Sequence, residues 1–177
     1  MMSANPADSA GTHDRWTSLS IALHWTIVAL LVVQFIDHEW MVDLFDASNE
    51  GRDVASLTRV LGYTHIAAGL AILIAAAIRL WDRFAHGRPA HSSDEPNWAQ
   101  ALAKATHVLL YTLLLSMPVA GLAAWILGSE WIATIHLYAW KVLLVTVALH
   151  VAGALANHFW FKNDVLRRIM PGQRRRS

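Results

Sequence analysis

The sequence predicts an all-α integral membrane protein, a bundle of four transmembrane helices with both termini in the cytoplasm. Only 15% of its 177 residues are charged, against about 25% in a soluble domain. Four apolar runs each reach the roughly 17–25 residues that cross a hydrocarbon core of about 30 Å. They lack the alternation of barrel strands, and a backbone in lipid must satisfy its own hydrogen bonds, so each run should be helical. The predicted spans are Leu19–Ile36, Val60–Trp81, Ala105–Leu127 and Ile132–Asn157.

The distribution of basic residues predicts the orientation. With the N-terminus inside, the outer loops hold only Arg52 and Arg59, while the inner segments hold eleven basic residues, a strong positive-inside bias for short loops. These eleven are Arg15, Arg79, Arg83, Arg88, Lys104, Lys162, Arg167, Arg168, Arg174, Arg175 and Arg176. We expect a cytoplasmic segment at 1–18, a membrane domain at 19–161 and a basic cytoplasmic tail at 162–177, the tail lying on anionic lipid or disordered.

The segments outside the spans carry weaker signals. Met1–Ser18 is polar and carries both acids and arginine, which favours a retained first helix over a cleaved signal peptide. The outer stretch Asp37–Arg59 is predicted to be a loop, with a weak indication of a short helix at Trp40–Phe45. Asp94, Glu95 and Pro96 are typical of a helix start and predict that the third helix begins before its membrane span.

The chain contains no cysteine. This excludes disulfides, iron–sulfur clusters held by thiolates and covalent attachment of c-type haem. Five of the ten histidines lie within the predicted spans: His24, His65, His107, His136 and His150. Ionisable side chains at membrane depth are costly and indicate function by default. One such histidine alone would be explained equally well by a hydrogen bond to a neighbouring helix, but five together would not.

The depths of four histidines define two levels. At about 1.5 Å per residue, His65 and His136 lie a similar distance below the outer surface, and His24 and His150 lie near the inner one. His136 and His150 are 14 residues apart, or nearly four turns, so they project from nearly the same face of the fourth helix. One helix can therefore supply a ligand to each of two stacked sites, as in cofactor-binding bundles.

Haem suits these levels better than a bare metal ion. Each level offers two imidazoles, whereas zinc typically takes four ligands or three plus water. A haem iron has four ring nitrogens already and needs only axial ligands, and two histidines leave no open position, which favours electron transfer. Gly62, Gly69 and Gly153 are spaced to leave room for a ring, although close helix packing explains them equally well.

These residues resemble those of a known family, the bacterial cytochromes b561. The resemblance covers about Arg15 to Pro171 and rests on a combination of motifs. These are Leu23-His24-Trp25, His65 followed 14 residues later by Arg79, His107 with Tyr111 and Met117-Pro118, and His136 with His150 ending in His158-Phe159-Trp160. One departure is Leu137, where some relatives have an acid, which puts a charge or proton role there in doubt.

The resemblance implies a four-helix, di-haem, quinone-linked cytochrome of the inner membrane, related to the cytochrome b subunits of nickel–iron hydrogenase and formate dehydrogenase. It also implies the pairing of His24 with His150 and of His65 with His136 as axial ligands of two haems b. One type of protein in that family oxidises superoxide and reduces ubiquinone.

Several further residues are candidates for a role at these sites. His107 is a candidate for replacing His24 as a ligand, or for a propionate or quinone contact, and Arg79 for a propionate contact or an interfacial anchor. Lys141 is predicted to extend along lipid, with a role near a propionate or a substrate anion as its functional alternative. His158 and Lys162 are candidate quinone or propionate contacts, or interfacial anchors.

Three classes of function remain open. The leading one is an electron-transfer oxidoreductase linked to the quinone pool, either self-contained, with superoxide as one candidate substrate, or the membrane anchor of a larger dehydrogenase or hydrogenase. The second is a metal or proton transporter with a histidine relay, and the third is a membrane scaffold. The expected partners are the lipid bilayer, quinone and a redox subunit, and no nucleic acid is expected.

Overall fold

A computed structural model describes residues 16–87 and 96–170. Within them the fold is all-helical, and four helices are long and apolar enough to cross a membrane, so the predicted all-α bundle of four transmembrane helices is confirmed. The helices are α1 (Ser18–Glu50), α2 (Ser56–His86), α3 (Asn97–Leu127), α4 (Glu130–Phe159) and α5 (Val165–Ile169).

The ends of the helices follow from local sequence. The Thr17 hydroxyl accepts a hydrogen bond from the Ser20 amide and caps α1, as hydroxyl residues do at helix starts. Gly51 and Gly128 end α1 and α3 with φ of 68° and 58°, a left-handed conformation that glycine adopts without steric cost. Because Ser129 then caps α4, α3 and α4 are antiparallel neighbours. The third helix starts after Pro96, near the predicted position; Asp94 and Glu95 lie outside the described residues.

The predicted outer loop Asp37–Arg59 is wrong except at residues 51–55, since the second helix also begins earlier than predicted, at Ser56. The first helix continues from the membrane span to Glu50, a length of 33 residues or about 50 Å at 1.5 Å per residue. Its buried side chains show why, because Ile27 and Gln34, and then Asp37 and Leu44, recur at a spacing of seven. Leu44 packs directly on Gly62, where an added Cβ would clash with its Cδ2. Packing of this face on α2 keeps the helix intact beyond the span.

The bundle consists of two helical hairpins. The closest packing joins α1 to α2 and α3 to α4, and α2 packs on α3 between them. Between the two histidine levels lies an apolar core of buried side chains that includes Ile27, Ile72, Leu113 and Leu143. The outward faces of the helices are apolar as well, with Phe35, for example, 62% exposed, as expected of surfaces in contact with lipid.

The start of the tail is ordered. Helix α5 packs against α4, and the Trp25 indole N–H donates to the Ile169 carbonyl at 3.0 Å. The alternative that the tail is disordered is therefore wrong for Val165–Ile169; residues 171–177 lie outside the described part of the chain. This contact brings the basic residues Arg167 and Arg168 next to the inner end of α1.

Candidate cofactor sites between the two hairpins

The four histidines of the two predicted levels lie in two pairs, each with one member on either hairpin. The outer pair is His65 on α2 and His136 on α4, with ring centroids 6.4 Å apart and planes inclined by 72°. The inner pair is His24 on α1 and His150 on α4, with centroids 6.2 Å apart and planes inclined by 65°. Each pair therefore faces across the space between the hairpins.

Both separations fit one iron ion between two imidazoles. A metal ion binds an imidazole nitrogen at about 2.0–2.1 Å, and each ring centroid lies about 1.1 Å behind its nitrogen, so two axial ligands place their centroids roughly 6.3 Å apart. The observed values are 6.4 Å and 6.2 Å. A direct hydrogen bond between the rings would bring them closer. The spacing thus supports a shared central atom at each level.

In the outer pair both rings are held by their Nδ1 atoms. His65 Nδ1–H donates to the Asp37 carboxylate at 2.7 Å, and His136 Nδ1–H donates to the Met117 carbonyl at 3.0 Å. With the proton at Nδ1, the lone pair of Nε2 is available to a metal. This is the usual arrangement of metal-binding histidines, whose other nitrogen bonds a carboxylate or a backbone carbonyl.

An apolar cavity of about 320 Å³ lies at the outer pair and is lined by both of its histidines. Aliphatic side chains such as Leu113 and Leu143 contribute much of its wall. Gly121 borders it too, and an added Cβ there would lie 2.9 Å from His136 Cε1. The cavity has the size and apolar lining of a cofactor pocket, with two donor nitrogens inside it.

Two residues of this site were missed or misplaced by sequence reasoning. Asp37 was assigned to the outer loop, yet it is 1% exposed and bonds His65. His38 lies in the same predicted loop, yet it is half-buried and lines the cavity. The signal for Asp37 was available, because the seven-residue spacing of Asp37 and Leu44 continues a helical face past the predicted end of the span.

The inner pair is held differently. The Arg79 guanidinium donates through Nη1 to His24 Nδ1 at 3.0 Å and lies over the Trp16 ring at 5.9 Å. This hydrogen bond keeps the proton of the neutral ring on Nε2, so ligation of a metal by Nε2 would break it and free the guanidinium for another acceptor. Arg79 points inward, which favours its predicted propionate role over an interfacial anchor. Two buried polar atoms at this level, Arg79 Nε and Ser20 Oγ, have no hydrogen-bond partner among the described residues. They are suitable donors for a carboxylate, the group that a haem propionate supplies.

His107 also lies at the inner level, but in a different relation to His150. The two ring centroids are 5.1 Å apart, which is shorter than the roughly 6.3 Å required for a metal ion between two imidazoles. His107 Nδ1–H donates to the Ala103 carbonyl of its own helix at 2.6 Å. The spacing favours His24 as the partner of His150 and leaves His107 as a neighbour of the pair.

The three glycines predicted either to leave room for a ring or to allow close helix packing differ in their surroundings. Gly62 contacts Leu44 and therefore serves close helix packing. At Gly69 an added Cβ would lie 3.1 Å from the Gln34 side chain. Gly69 lines the outer cavity. Gly153 has nothing within 4 Å of an added Cβ, so space is open beside α4 at the inner level.

The remaining candidates lie on the periphery. Lys141 is exposed, and its ammonium lies 5.1 Å from the centre of the Tyr138 ring, in accordance with the predicted extension along the helix surface. His158 packs edge-on against Phe159 with ring centroids 4.8 Å apart, and Lys162 is exposed. These contacts provide no support for a role of any of the three at either pair.

The described residues contain no cluster of three or more histidine, aspartate or glutamate side chains able to hold a bare metal ion. Two imidazoles at each of two levels are instead the ligand set for the axial positions of haem iron. A helical membrane bundle with such sites belongs to the class of b-type cytochromes, membrane proteins that transfer electrons.

Comparison with known proteins gives the family. The chain matches the model of the prokaryotic cytochrome b561 family over residues 15–172 and belongs to that family. It is 30% identical over 155 residues to cytochrome b562 of Cereibacter sphaeroides, covering 88% of this chain and 94% of that protein.

Two further relatives are more distant. The probable superoxide oxidase CybB of Yersinia pestis is 23% identical over 183 residues, covering 92% of this chain and 99% of that protein. Cytochrome b561 homolog 1 of Escherichia coli (strain K12) is 23% identical over 179 residues, covering 89% and 98%. The family implies that the chain binds haem b and functions in electron transfer as a multi-pass bacterial membrane protein.

Proposed function

We propose that this cytochrome holds two haems b, one ligated by the outer pair (His65 and His136) and one by the inner pair (His24 and His150). The single observation that carries the proposal is the separation of the rings, 6.4 Å and 6.2 Å, at two levels of one bundle. Bound haem supplies one-electron chemistry, because its iron cycles between the ferrous and ferric states. The protein supplies the axial ligands, the position of each haem within the bilayer and surroundings that exclude water.

The distribution of charge supports the proposed orientation, with the inner pair towards the cytoplasm. Arg79 and Arg83 are near the inner pair, and Arg167 and Arg168 lie on the helix that contacts Trp25. The end of the bundle near the outer pair is acidic instead. A bacterial inner membrane and a multi-pass topology with both termini inside agree with this bias.

The apolar core between the pairs favours electron transfer over a histidine relay. His136 and His150 are 14 residues apart on α4, about 21 Å along the axis, and the buried core between the levels includes Ile72, Leu113 and Leu143. Protons or metal ions need a continuous series of polar groups to cross such a distance. Electrons do not, so this apolar core supports the cytochrome over a transporter.

We further propose quinone as the mobile redox partner. Quinones are neutral and apolar and reach a membrane protein through lipid, which the exposed apolar faces of this bundle contact. Superoxide, the substrate named for the Yersinia pestis relative, is an anion and has less support here. The exposed acids at the outer end are Glu39, Asp43, Asp46, Glu50, Asp53 and Glu130, against Arg52 and Arg59. A surface of this sign lowers the local concentration of an anion.

The proposal is tested by the spectrum and haem content of the detergent-purified protein. We expect a Soret band, sharp alpha and beta bands on reduction with dithionite, and about two haems per chain by pyridine haemochrome, one for each histidine pair. Loss of either His65 or His136 should remove the same haem. A folded, colourless protein from cells with ample haem would refute the proposal, and one haem per chain would refute the two-site version.

Co-purification distinguishes the two forms of the electron carrier. A self-contained oxidoreductase should exchange electrons with a short-chain quinone analogue as an isolated chain. A membrane anchor should copurify with a soluble subunit and react with quinone only when that subunit supplies or removes electrons.

A further inference from the structure

The carboxylate of Asp37 is the one buried acid in contact with the outer pair among the described residues. Its side chain is 2% exposed, and Oδ1 accepts from His65 Nδ1 at 2.7 Å. Oδ2 is buried without a hydrogen-bond partner in the described part of the chain. An acid in such a place is costly unless it has a function or a strong partner, and the partner of Asp37 is a proposed haem ligand.

A carboxylate at Nδ1 changes the ligand more than a carbonyl does. It draws the Nδ1 proton towards itself, which raises the electron density on the ring and strengthens Nε2 as a donor. His136, the opposite ligand, donates to the neutral carbonyl of Met117. The negative charge of Asp37 therefore acts on the outer site through one ligand only, His65.

The inner pair experiences a charge of the opposite sign. Arg79 lies in hydrogen-bond contact with His24, and Arg83 lies one turn further along α2, over the Tyr111 ring. Asp82, the nearby acid, is bonded to Thr17 and His86 instead. In a low-dielectric interior a nearby negative charge favours ferric iron and a nearby positive charge favours ferrous iron.

We infer that Asp37 is a positioning residue that sets the redox potential of the outer site, making it the lower-potential centre of the two. The inference rests on the proposed function, since it requires a haem at each pair. The carboxylate stabilises the oxidised form through His65, while the guanidinium of Arg79 stabilises the reduced form at the inner pair. A potential that rises from the outer to the inner level favours electron flow towards the cytoplasmic side.

The test is a redox titration of the purified holoprotein, with Asp37→Asn compared with wild type. Asparagine keeps the shape and an acceptor oxygen but removes the charge. We expect the equilibrium constant for reduction of the outer centre to rise at least about tenfold, which raises its potential by about 59 mV for a one-electron couple. The inner centre should not shift. The matched control is Glu39→Gln, because Glu39 is an exposed acid on the same helix and screening by water and salt makes its effect much smaller.

Every outcome of the titration bears on the inference. Two haems with the outer potential unchanged or lowered in Asp37→Asn would overturn it, as would an equal shift in Glu39→Gln. If the Asp37→Asn protein retains a single haem, the potential of that haem must match the higher of the two wild-type values, and a match to the lower value overturns the inference. The variant His136→Ala should keep only the inner haem, and the potential of that haem must likewise match the higher wild-type value. A wild-type protein without two haems would instead refute the proposed function.

Discussion

The identity of the second inner ligand gives the sharpest prediction, because two histidines approach His150. The rings of His24 and His150 are 6.2 Å apart, close to the roughly 6.3 Å expected for two imidazoles on one metal ion. The rings of His107 and His150 are 5.1 Å apart, about 1.2 Å less than that value, so each bond to a central iron would be compressed by about 0.6 Å. No iron–imidazole bond of about 2.0 Å tolerates that.

The perturbation is therefore a pair of matched substitutions, His24→Ala and His107→Ala. We expect His24→Ala to retain one haem per chain and His107→Ala to retain two, measured by pyridine haemochrome on protein that elutes as a single detergent-solubilised species. Both remove a half-buried imidazole from the inner level, so each is the other's control for general damage. The His107 variant should also keep its low-spin reduced spectrum.

The opposite result would refute the assignment. If His107→Ala loses the inner haem and His24→Ala retains it, the ligand of that site is His107, and the separation of the rings is not a guide to ligation here. Loss of both haems from either variant would show that the two levels are not independent.

Two further predictions follow from single positions on α3 and α4. Gly121→Ala places a Cβ 2.9 Å from the His136 ring, so we expect it to lower the haem content of the outer site although alanine favours a helix. Val119→Ala, at a position of the same helix that is 55% exposed, is the matched control and should keep both haems. A normal haem content in Gly121→Ala would contradict the placement of His136. Lys141→Ala removes only an exposed contact with Tyr138 and should leave the spectrum and the rate of quinone reduction unchanged; a slower rate would reveal a role for this charge.

The membrane helices and the levels of the histidines could be predicted from sequence alone. Span length is set by the thickness of the hydrocarbon core, and depth along a helix is set by its rise per residue. Both are local properties. The same reasoning placed His136 and His150 on one face of the fourth helix, because 14 residues are close to a whole number of turns.

The end of the first helix was not accessible in the same way. Hydropathy falls after Ile36, and the acids that follow are typical of a loop. What keeps Asp37–Glu50 helical is packing of Leu44 on Gly62 of the next helix, a contact between residues that are distant in the sequence. In the sequence this contact is indicated only by the seven-residue spacing of the side chains on the buried face.

The chain's own pattern thus determined the class of fold, the two depths and the four histidines that occupy them. Tertiary structure alone decided which groups touch those histidines: the Asp37 carboxylate at His65, the Met117 carbonyl at His136 and the Arg79 guanidinium at His24. It also sets the two candidates for the second inner ligand at different distances, with ring separations from His150 of 6.2 Å for His24 and 5.1 Å for His107. The physical reason is that depth follows from counting residues along one helix, whereas contact depends on how helices rotate and pack against one another.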